Sequence, residues 1–213
     1  EGNEDLLLVL NPDTELTEGA LDTLATVLDQ HRRAAGVVPL LEDEGGAPQY
    51  RWQLRSLPTP TRLAFGLPGS SVFTAPPSHP APVPQPAAAA WMVRRTVWEA
   101  LGGLDPTFTP AWWEDVDFCA RLTERFDEAD FPCTEGFWVE PAAHIRHIGG
   151  SSVSSLGDAA FLTAYYRTLL HYATRHHGQK AGFIRRGLSL SLRARMILRP
   201  SRRAGYKAAV SAI

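Results

Sequence analysis

The sequence feature that most constrains the fold is an apolar run near the start of the chain. Asp5 is followed by Leu-Leu-Leu-Val-Leu, and the run stops at Leu10, before Asn11-Pro12-Asp13. A continuous apolar stretch of this length, ended by turn-forming residues, is typical of a buried strand in a parallel sheet. Because proline cannot continue a central strand, we expect Asp13 at the strand's carboxyl end, the edge where open α/β sheets bind ligands. An Asp after Asn-Pro is more often an Asx-turn residue, and Asp13 taken alone favours that role.

A second motif joins two tryptophans to three carboxylates, Trp-Trp-Glu-Asp-Val-Asp-Phe-Cys at 112–119. If a helix begins near Glu114, Asp115 shares one stripe with Phe118, Cys119 and Leu122, at i, i+3, i+4 and i+7. A carboxylate on a core-facing stripe is better explained by chemistry than by solvation. The alternative is that the acids of the first turn only complement the helix dipole, which contributes up to about 1 kcal/mol.

A third motif ends in a histidine. His147 follows an alternating segment and precedes two glycines, so it is expected at the end of a strand. A lone histidine at such a position is more often structural than a ligand. A strand-end His close to a strand-end Asp would nevertheless form a site that suits Mg or Mn.

The remaining elements follow from periodicity and turn residues. The sequence predicts helices over 17–33, 96–101 and 159–177, and strands over 36–41, 50–54 and 87–93. The Pro-, Ser- and Ala-rich stretch 67–86 predicts an extended loop with little structure of its own. His171, His176 and His177 are expected at the surface.

Charge is divided unevenly along the chain. The formal net charge of -2 combines -13 over residues 1–158 with +11 over 159–213, where 11 Lys and Arg occur without a single Asp or Glu. This division predicts an acidic body and a basic tail that could bind anionic lipid or a polyanion. No nucleic-acid partner is expected. The segment 180–199 is an imperfectly amphipathic helix, for which membrane binding and packing on the chain's own body are equal contenders.

Taken in order, these motifs resemble family 2 glycosyltransferases of the GT-A fold, in particular the rhamnosyltransferase and galactofuranosyltransferase-like branch. The resemblance extends over roughly residues 5–178, and its matching stretches are 7–14, 90–95, 101–105, 113–117, 147–152 and 165–178. It implies an α/β fold with a partial GT-A (Rossmann-like) mixed sheet flanked by helices, followed by a basic helical extension.

The resemblance also implies a domain organisation. Family members carry several strand–helix units before the Asn-Pro-Asp motif, and these hold the nucleotide. We therefore expect residues 1–178 to be the C-terminal portion of a glycosyltransferase domain, with 67–86 as its Pro-rich loop, and 179–213 to be a basic helical tail. Activity would belong to a longer protein.

Roles for individual residues follow from the same resemblance. Asp13 would be the metal-binding acid, with Asn11 where the motif's first Asp often stands, near the donor, and His147 would complete the site for a divalent metal, Mg or Mn. Asp115 would be the catalytic base, with Glu114 beside it.

The substrate-binding assignments are less constrained. Arg94 could face the donor diphosphate, although arginines at a strand exit are more often solvated. Trp112, Trp113 and Asp117 are assigned to the acceptor or the sugar. Aromatic side chains beside a carboxylate can stack on a sugar, and covering the core is an equally common role.

The sequence thus predicts an inverting transferase that moves a sugar from a nucleotide-sugar donor to a hydroxyl of a glycan or lipid-linked acceptor. A metal-dependent sugar nucleotidyltransferase is one alternative, which a Gly-rich phosphate loop upstream would favour. A non-catalytic carbohydrate-binding relative is another, against which the intact acidic triplet argues.

Two sequence properties bear on the compartment. No run of eighteen apolar residues occurs, so no membrane-spanning segment is predicted. Two cysteines without metal-ligand spacing fit a reducing environment. We expect a cytoplasmic protein, or one peripheral at the cytoplasmic face of a membrane.

Overall fold

The computed structural model describes residues 6–110, 112–149 and 157–213. These residues form two compact units. The described parts of Glu1–Leu57, Ser70–Leu104 and Phe118–Gly149 form the first, and those of Pro58–Gly69, Asp105–Asp117 and Gly150–Ile213 form the second. Residues 179–213 belong to the second unit together with the helix that precedes them, so this division does not coincide with a boundary at residue 178.

The strands all lie in the first unit. They are β1 Leu6–Leu10, β2 Thr14–Leu16, β3 Ala34–Glu42, β4 Leu54–Arg55, β5 Ala81–Val83, β6 Gln85–Pro86, β7 Ala90–Arg94 and β8 Glu135–His147. Over the described residues, the main sheet has the order β1-β7-β3-β8-β2, with β5 also paired to β8, and β4 pairs with β6 separately. The β3–β8 pairing is parallel and the other pairings of the main sheet are antiparallel, so the sheet is mixed.

The helices surround this sheet or form the second unit. In the first unit they are α1 Ala20–Gln30, α2 Tyr50–Gln53 and α4 Arg95–Leu101, and in the second α3 Pro60–Ala64, α6 Asp158–His176, α7 Ala181–Leu198 and α8 Arg203–Ala212. Helix α5, Glu114–Glu124, begins in the second unit and continues into the first. None of the helices in the described part of the chain is both long and apolar enough to cross a membrane.

The sheet is covered on both faces, and its strand β3 is apolar apart from its last residue, Glu42. Eight of its nine residues are buried. Val37 joins the core cluster that contains Leu24 and Leu28 of α1, whereas its neighbour Val38 joins the cluster that contains Phe118 and Leu122 of α5. This alternation follows from the two-residue period of a strand. The predicted α/β class, with a mixed sheet flanked by helices, is confirmed.

The prediction for the first strand is wrong in its pairing and burial. β1 runs antiparallel to β7, from Leu6 opposite Arg94 to Leu10 opposite Ala90, at one end of the strand order. Several of its leucines keep exposed surface, including Leu8 and Leu10. A continuous apolar run shows that a strand is favoured, but it does not encode the direction of the partner strand.

The strand predicted over 50–54 is also largely wrong, because Tyr50–Gln53 forms a helical turn. Its last residue, Gln53, is fully buried. The Gln53 side chain accepts a hydrogen bond from Leu41 N at 3.0 Å and donates one to Pro39 O at 2.6 Å. The β3–β8 register shifts between Pro39 and Leu40, so Gln53 satisfies backbone groups of β3 around that irregularity.

Other boundaries differ by a few residues. The predicted helix over 17–33 starts only after Gly19, whose φ of 73° lies in the left-handed region, and it ends at Gln30. The loop predicted over 67–86 contains the short strands β5 and β6. The second unit also contains α8, which lies within the predicted helical tail 179–213 and buries Tyr206 and Ala209.

Candidate functional site

The turn after β1 and the end of β8 meet in the first unit. Thr14 of β2 pairs with His147, the last residue of β8, and Ile148 N donates a hydrogen bond to Asp13 O at 3.1 Å. This pairing brings Asp13 Oδ1 to 3.6 Å from His147 Nε2. Both side chains are almost entirely buried. The structure therefore brings together two residues that are far apart in sequence, as the motif pattern predicts.

The orientation of His147 is set by Gln49, a residue that the sequence did not single out. Gln49 Nε2 donates to His147 O at 2.9 Å, so its Oε1 faces His147 Nδ1, also at 2.9 Å. An amide oxygen can only accept, so Nδ1 carries the proton in the neutral imidazole and the Nε2 lone pair faces Asp13. Trp52 packs edge-on against the imidazole, with ring centroids 5.3 Å apart.

Burial favours the neutral form of this imidazole. Burial lowers the pKa of His147 below its usual value, and the Asp13 carboxylate opposes that effect only in part. A neutral nitrogen and a carboxylate oxygen at 3.6 Å are too far apart for a good hydrogen bond. Two ligands at about 2.1 Å from one ion, at angles of roughly 90–120°, are about 3.0–3.6 Å apart. The spacing and the donor types therefore fit a shared divalent cation.

A divalent ion held by Asp13 and His147 would need further ligands. Over 6–110, 112–149 and 157–213, the structure contains no group of three or more His, Cys, Asp or Glu that could hold a metal ion. Mg²⁺ commonly uses one or two carboxylates and completes its shell with water and substrate phosphates. A two-residue site beside a diphosphate would follow that pattern.

Asn11 and Arg94, the two residues predicted to lie near the nucleotide-sugar donor, have different environments. Asn11 is exposed in the turn, where its backbone carbonyl accepts hydrogen bonds from Thr14 N and Thr14 Oγ1. Arg94 is buried, and its guanidinium donates to the carbonyls of Leu28 at 2.6 Å and Ala34 at 2.9 Å. These contacts tie β7 to the end of α1, so Arg94 has a structural role, and diphosphate binding by Arg94 stays a prediction.

In the second unit, the acidic motif is presented by an unusual turn. Trp112 and Trp113 have φ values of 89° and 79°, in the left-handed region that non-glycine residues seldom adopt. Such a conformation costs on the order of 1–2 kcal/mol per residue and persists only when packing enforces it. Helix α5 then begins at Glu114, where the sequence predicts it.

Aromatic side chains of α6 enforce this turn. Trp113 is buried and contacts Tyr165 and Tyr172, with ring centroids 5.6 and 5.4 Å apart. Trp112 is half-buried and packs edge-on against Phe161 and Tyr165. Of the two roles left open by the sequence, Trp113 therefore has the core-covering one, while Trp112 keeps some surface with which a sugar could make contact.

A buried polar pair anchors the first turn of α5. Asp117 has no exposed surface, and its Oδ1 lies 2.8 Å from His176 Nε2 and 3.5 Å from Arg175 Nη1. Arg175 also pairs with Asp105. The acceptor contact predicted for Asp117 does not fit this burial, and the surface position expected for His176 is wrong. Both side chains instead connect α5 to α6.

Glu114 and Asp115 differ in their surroundings. Burial, and then the neighbouring Asp115 charge, raise the pKa of Glu114 to about 7, against opposing hydrogen bonds from backbone groups. Glu114 Oε2 is buried without a hydrogen-bond partner among the described residues. Asp115 is partly exposed, and its Oδ1 accepts a hydrogen bond from Val116 N at 2.8 Å. Glu114 and Asp115 are thus both partly exposed as residues, whereas Asp117 is fully buried in the α5–α6 pair.

Comparisons with known proteins agree with the motif pattern. No protein-family model matches the chain. The chain is 26% identical over 215 residues to an N-acetylglucosaminyl-diphospho-decaprenol L-rhamnosyltransferase of Mycobacterium tuberculosis, in the strains CDC 1551 / Oshkosh and ATCC 25618 / H37Rv. The match covers 94% of this chain and 66% of the relative, so the chain spans just under two thirds of the length of these curated relatives. The predicted resemblance to rhamnosyltransferases is confirmed.

Proposed function

We propose that this chain is part of a glycosyltransferase that moves a sugar from a nucleotide-sugar donor to a hydroxyl of a lipid-linked glycan. The observation that carries the proposal is the similarity over 94% of the chain to an enzyme named as a rhamnosyltransferase. The name of that relative suggests an L-rhamnosyl donor and an N-acetylglucosaminyl-diphospho-polyprenol acceptor. A sugar-transferring relative also favours this function over the nucleotidyltransferase alternative.

The proposed reaction is a single in-line displacement. The acceptor oxygen forms a bond to the anomeric carbon while the bond from that carbon to the donor diphosphate breaks, which inverts the anomeric configuration. Asp115 takes the proton of the attacking hydroxyl. Its partly exposed position at the start of α5 leaves it accessible to an acceptor, whereas Asp117 is enclosed.

A cation would act on the diphosphate of the donor. Asp13 and His147 would hold a divalent ion, Mg or Mn, which when bound supplies positive charge to stabilise the departing diphosphate. Gln49 holds the His147 ring so that its Nε2 lone pair faces Asp13. The enforced turn at Trp112 and Trp113 fixes where the α5 carboxylates stand.

The proposal is tested with Asp115→Asn in the complete protein. Transfer is assayed from a nucleotide-linked L-rhamnose to an N-acetylglucosaminyl-diphospho-polyprenol, and donor binding is measured by calorimetry. Loss of a general base should lower the transfer rate roughly 10²–10⁴-fold and leave donor affinity unchanged. Asp22→Asn, the same substitution at an exposed position of α1, is the matched control. Transfer within a few-fold of the unsubstituted protein would exclude Asp115 as the base.

A further inference from the structure

Helix α7 is attached to the rest of the second unit by one face. Ile184, Leu188 and Leu192 are fully buried, and they follow one another at four-residue intervals along the helix. Tyr166 of α6 and the carbonyl of Phe65 accept hydrogen bonds from Arg195, at 2.6 and 2.8 Å. The helix is therefore docked on its own unit, which settles one of the two roles that its amphipathic pattern allowed.

The opposite face carries large apolar side chains that are exposed in the described part of the second unit. Phe183, Leu190 and Ile197 are 58%, 67% and 81% exposed. They are seven residues apart, so they form one line along the helix. Isolated exposed apolar residues are common on proteins, but these three are aligned along the undocked face of one helix.

Two arginines stand within this line. Arg186 and Arg193 are three residues after Phe183 and Leu190, so the outer line reads Phe-Arg-Leu-Arg-Ile along the helix. Both arginines are exposed. We call the line formed by Phe183, Arg186, Leu190, Arg193 and Ile197 the outer stripe.

No carboxylate lies near enough in sequence to neutralise the outer stripe. Residues 159–213 contain no Asp or Glu, and α3, which packs against α7, contains none. Asp158, at the start of α6, is paired with Arg202. Its Oδ1 accepts a hydrogen bond from Arg202 Nη2 at 2.8 Å, and its Oδ2 accepts one from Arg202 Nε at 3.0 Å. The outer stripe therefore combines apolar side chains with two exposed arginines, and α3, α7 and α8 contain no Asp or Glu that could offset their charge.

We propose that the outer stripe of α7 binds the surface of an anionic lipid bilayer, with α7 lying parallel to the membrane. Apolar side chains would enter the boundary between headgroups and acyl chains, and the arginines would contact lipid phosphates. A bilayer fits better than an acidic protein or a polyanion, because the apolar side chains alternate with the arginines along the same line. The proposed function gives this contact a use, since a lipid-linked acceptor is presented at a membrane surface.

The test is co-sedimentation of the protein with vesicles of equal parts phosphatidylglycerol and phosphatidylcholine, and with vesicles of phosphatidylcholine alone. We expect binding to the first that weakens as salt is raised, and none to the second. Replacing Phe183, Leu190 and Ile197 together by Ser should weaken binding more than about tenfold, since each removes apolar surface from the lipid boundary. Replacing Arg186 and Arg193 by Gln should weaken binding and reduce its salt dependence.

Matched controls are available in the first unit. Leu16, Leu21 and Val72 are exposed apolar residues outside the outer stripe, and their joint replacement by Ser should leave vesicle binding unchanged. Arg32→Gln is the control for charge. Circular dichroism checks folding in every variant. Point substitutions are preferable to deletion of 180–213, because the deletion would also remove Tyr206 and Ala209 from the core.

Three outcomes would overturn the proposal. The first is equal binding to neutral vesicles, or no binding to anionic ones. The second is a triple Ser variant that binds as well as the unsubstituted protein. The third is a self-associated protein that the triple Ser variant converts to monomer, which would assign the outer stripe to a second copy of the chain.

Failure of the proposed function has a different signature. If Asp115→Asn leaves transfer intact while the outer-stripe variants lose vesicle binding, the membrane contact stands and the assigned reaction falls. If the outer-stripe variants keep vesicle binding and Asp115→Asn abolishes transfer, the reaction stands without this membrane contact.

Discussion

Glu114→Gln should change how the stability of the protein depends on pH. Burial, and then the charge of Asp115, raise the pKa of Glu114 from the ordinary 4.5 to about 7 in the folded protein. The folded state therefore holds this proton more tightly than the unfolded chain does. The contribution of the protonated Glu114 to the free energy of unfolding is fully present below pH 4.5, and it is lost as the pH rises through about 7.

The size of the effect follows from the two pKa values. A change from 4.5 to about 7 corresponds to about 3 kcal/mol of unfolding free energy between the two ends of this pH range. Gln removes the titration. Its amide also places a donor near the buried Oε2 position, which has no hydrogen-bond partner among the described residues. Burying that donor without a partner costs about 1–3 kcal/mol, and this cost is the same at every pH. The diagnostic quantity is therefore the change with pH of the difference between variant and unsubstituted protein.

This difference is measured by urea unfolding followed by circular dichroism. The pH is varied from 4 to 9, a range that brackets the two pKa values of 4.5 and about 7. We expect the Gln variant to gain about 3 kcal/mol relative to the unsubstituted protein between the lower and upper ends. Glu44→Gln, at an exposed position, controls for the loss of a surface charge and should give a nearly constant difference. A constant difference for Glu114→Gln as well would show that Glu114 titrates normally and that its burial has no electrostatic consequence.

Two further predictions concern the supporting side chains. Gln49→Ala should weaken Mn²⁺ binding by about 10–100-fold, because the His147 ring loses the hydrogen bond that orients it. Gln30→Ala, at the exposed end of α1, is the control and should have no effect. Calorimetric titration of the complete protein measures both affinities, and equal values would argue against an ion held by His147. Asp117→Ala should destabilise the fold by about 3–5 kcal/mol in urea unfolding, because it removes the acceptor that Asp117 provides to the buried His176 side chain. Asp117→Asn should lower the free energy of unfolding by less, because its amide oxygen can still accept a hydrogen bond. A loss below about 1 kcal/mol for the Ala variant would show that the Asp117–His176 pair contributes little to the stability of the fold.

Local patterns in the sequence predicted several elements correctly. Helix α5 begins at Glu114, β3 lies on the apolar run 36–41, and His147 ends β8. These features depend on residues close in sequence: an acidic first turn, an apolar run, and glycines after a strand. The convergence of Asp13 and His147 was also predictable, because both were placed at strand ends.

Other features depend on partners that are far away in sequence. Gln49 lies 98 residues before His147, and no local pattern distinguishes it from any other glutamine. Gln53 belongs to a helical turn instead of a strand because it satisfies backbone groups near an irregularity in β3. The direction of β1 was missed for the same reason, since the apolar run does not specify whether its neighbour is parallel or antiparallel.

The chemical groups of the protein are evident from its sequence: three carboxylates in one motif, a strand-end Asp and His, and a basic segment without acids. How the surroundings of those groups differ depends on the folded structure. It encloses Asp117 against His176 and leaves Glu114 and Asp115 partly exposed, and it raises the pKa of Glu114 through burial and the neighbouring Asp115 charge. It also docks one face of α7 and turns the outer stripe to solvent. The reason is that burial and pairing arise from contacts between distant segments, and these contacts set the pKa and accessibility of side chains that are similar in sequence.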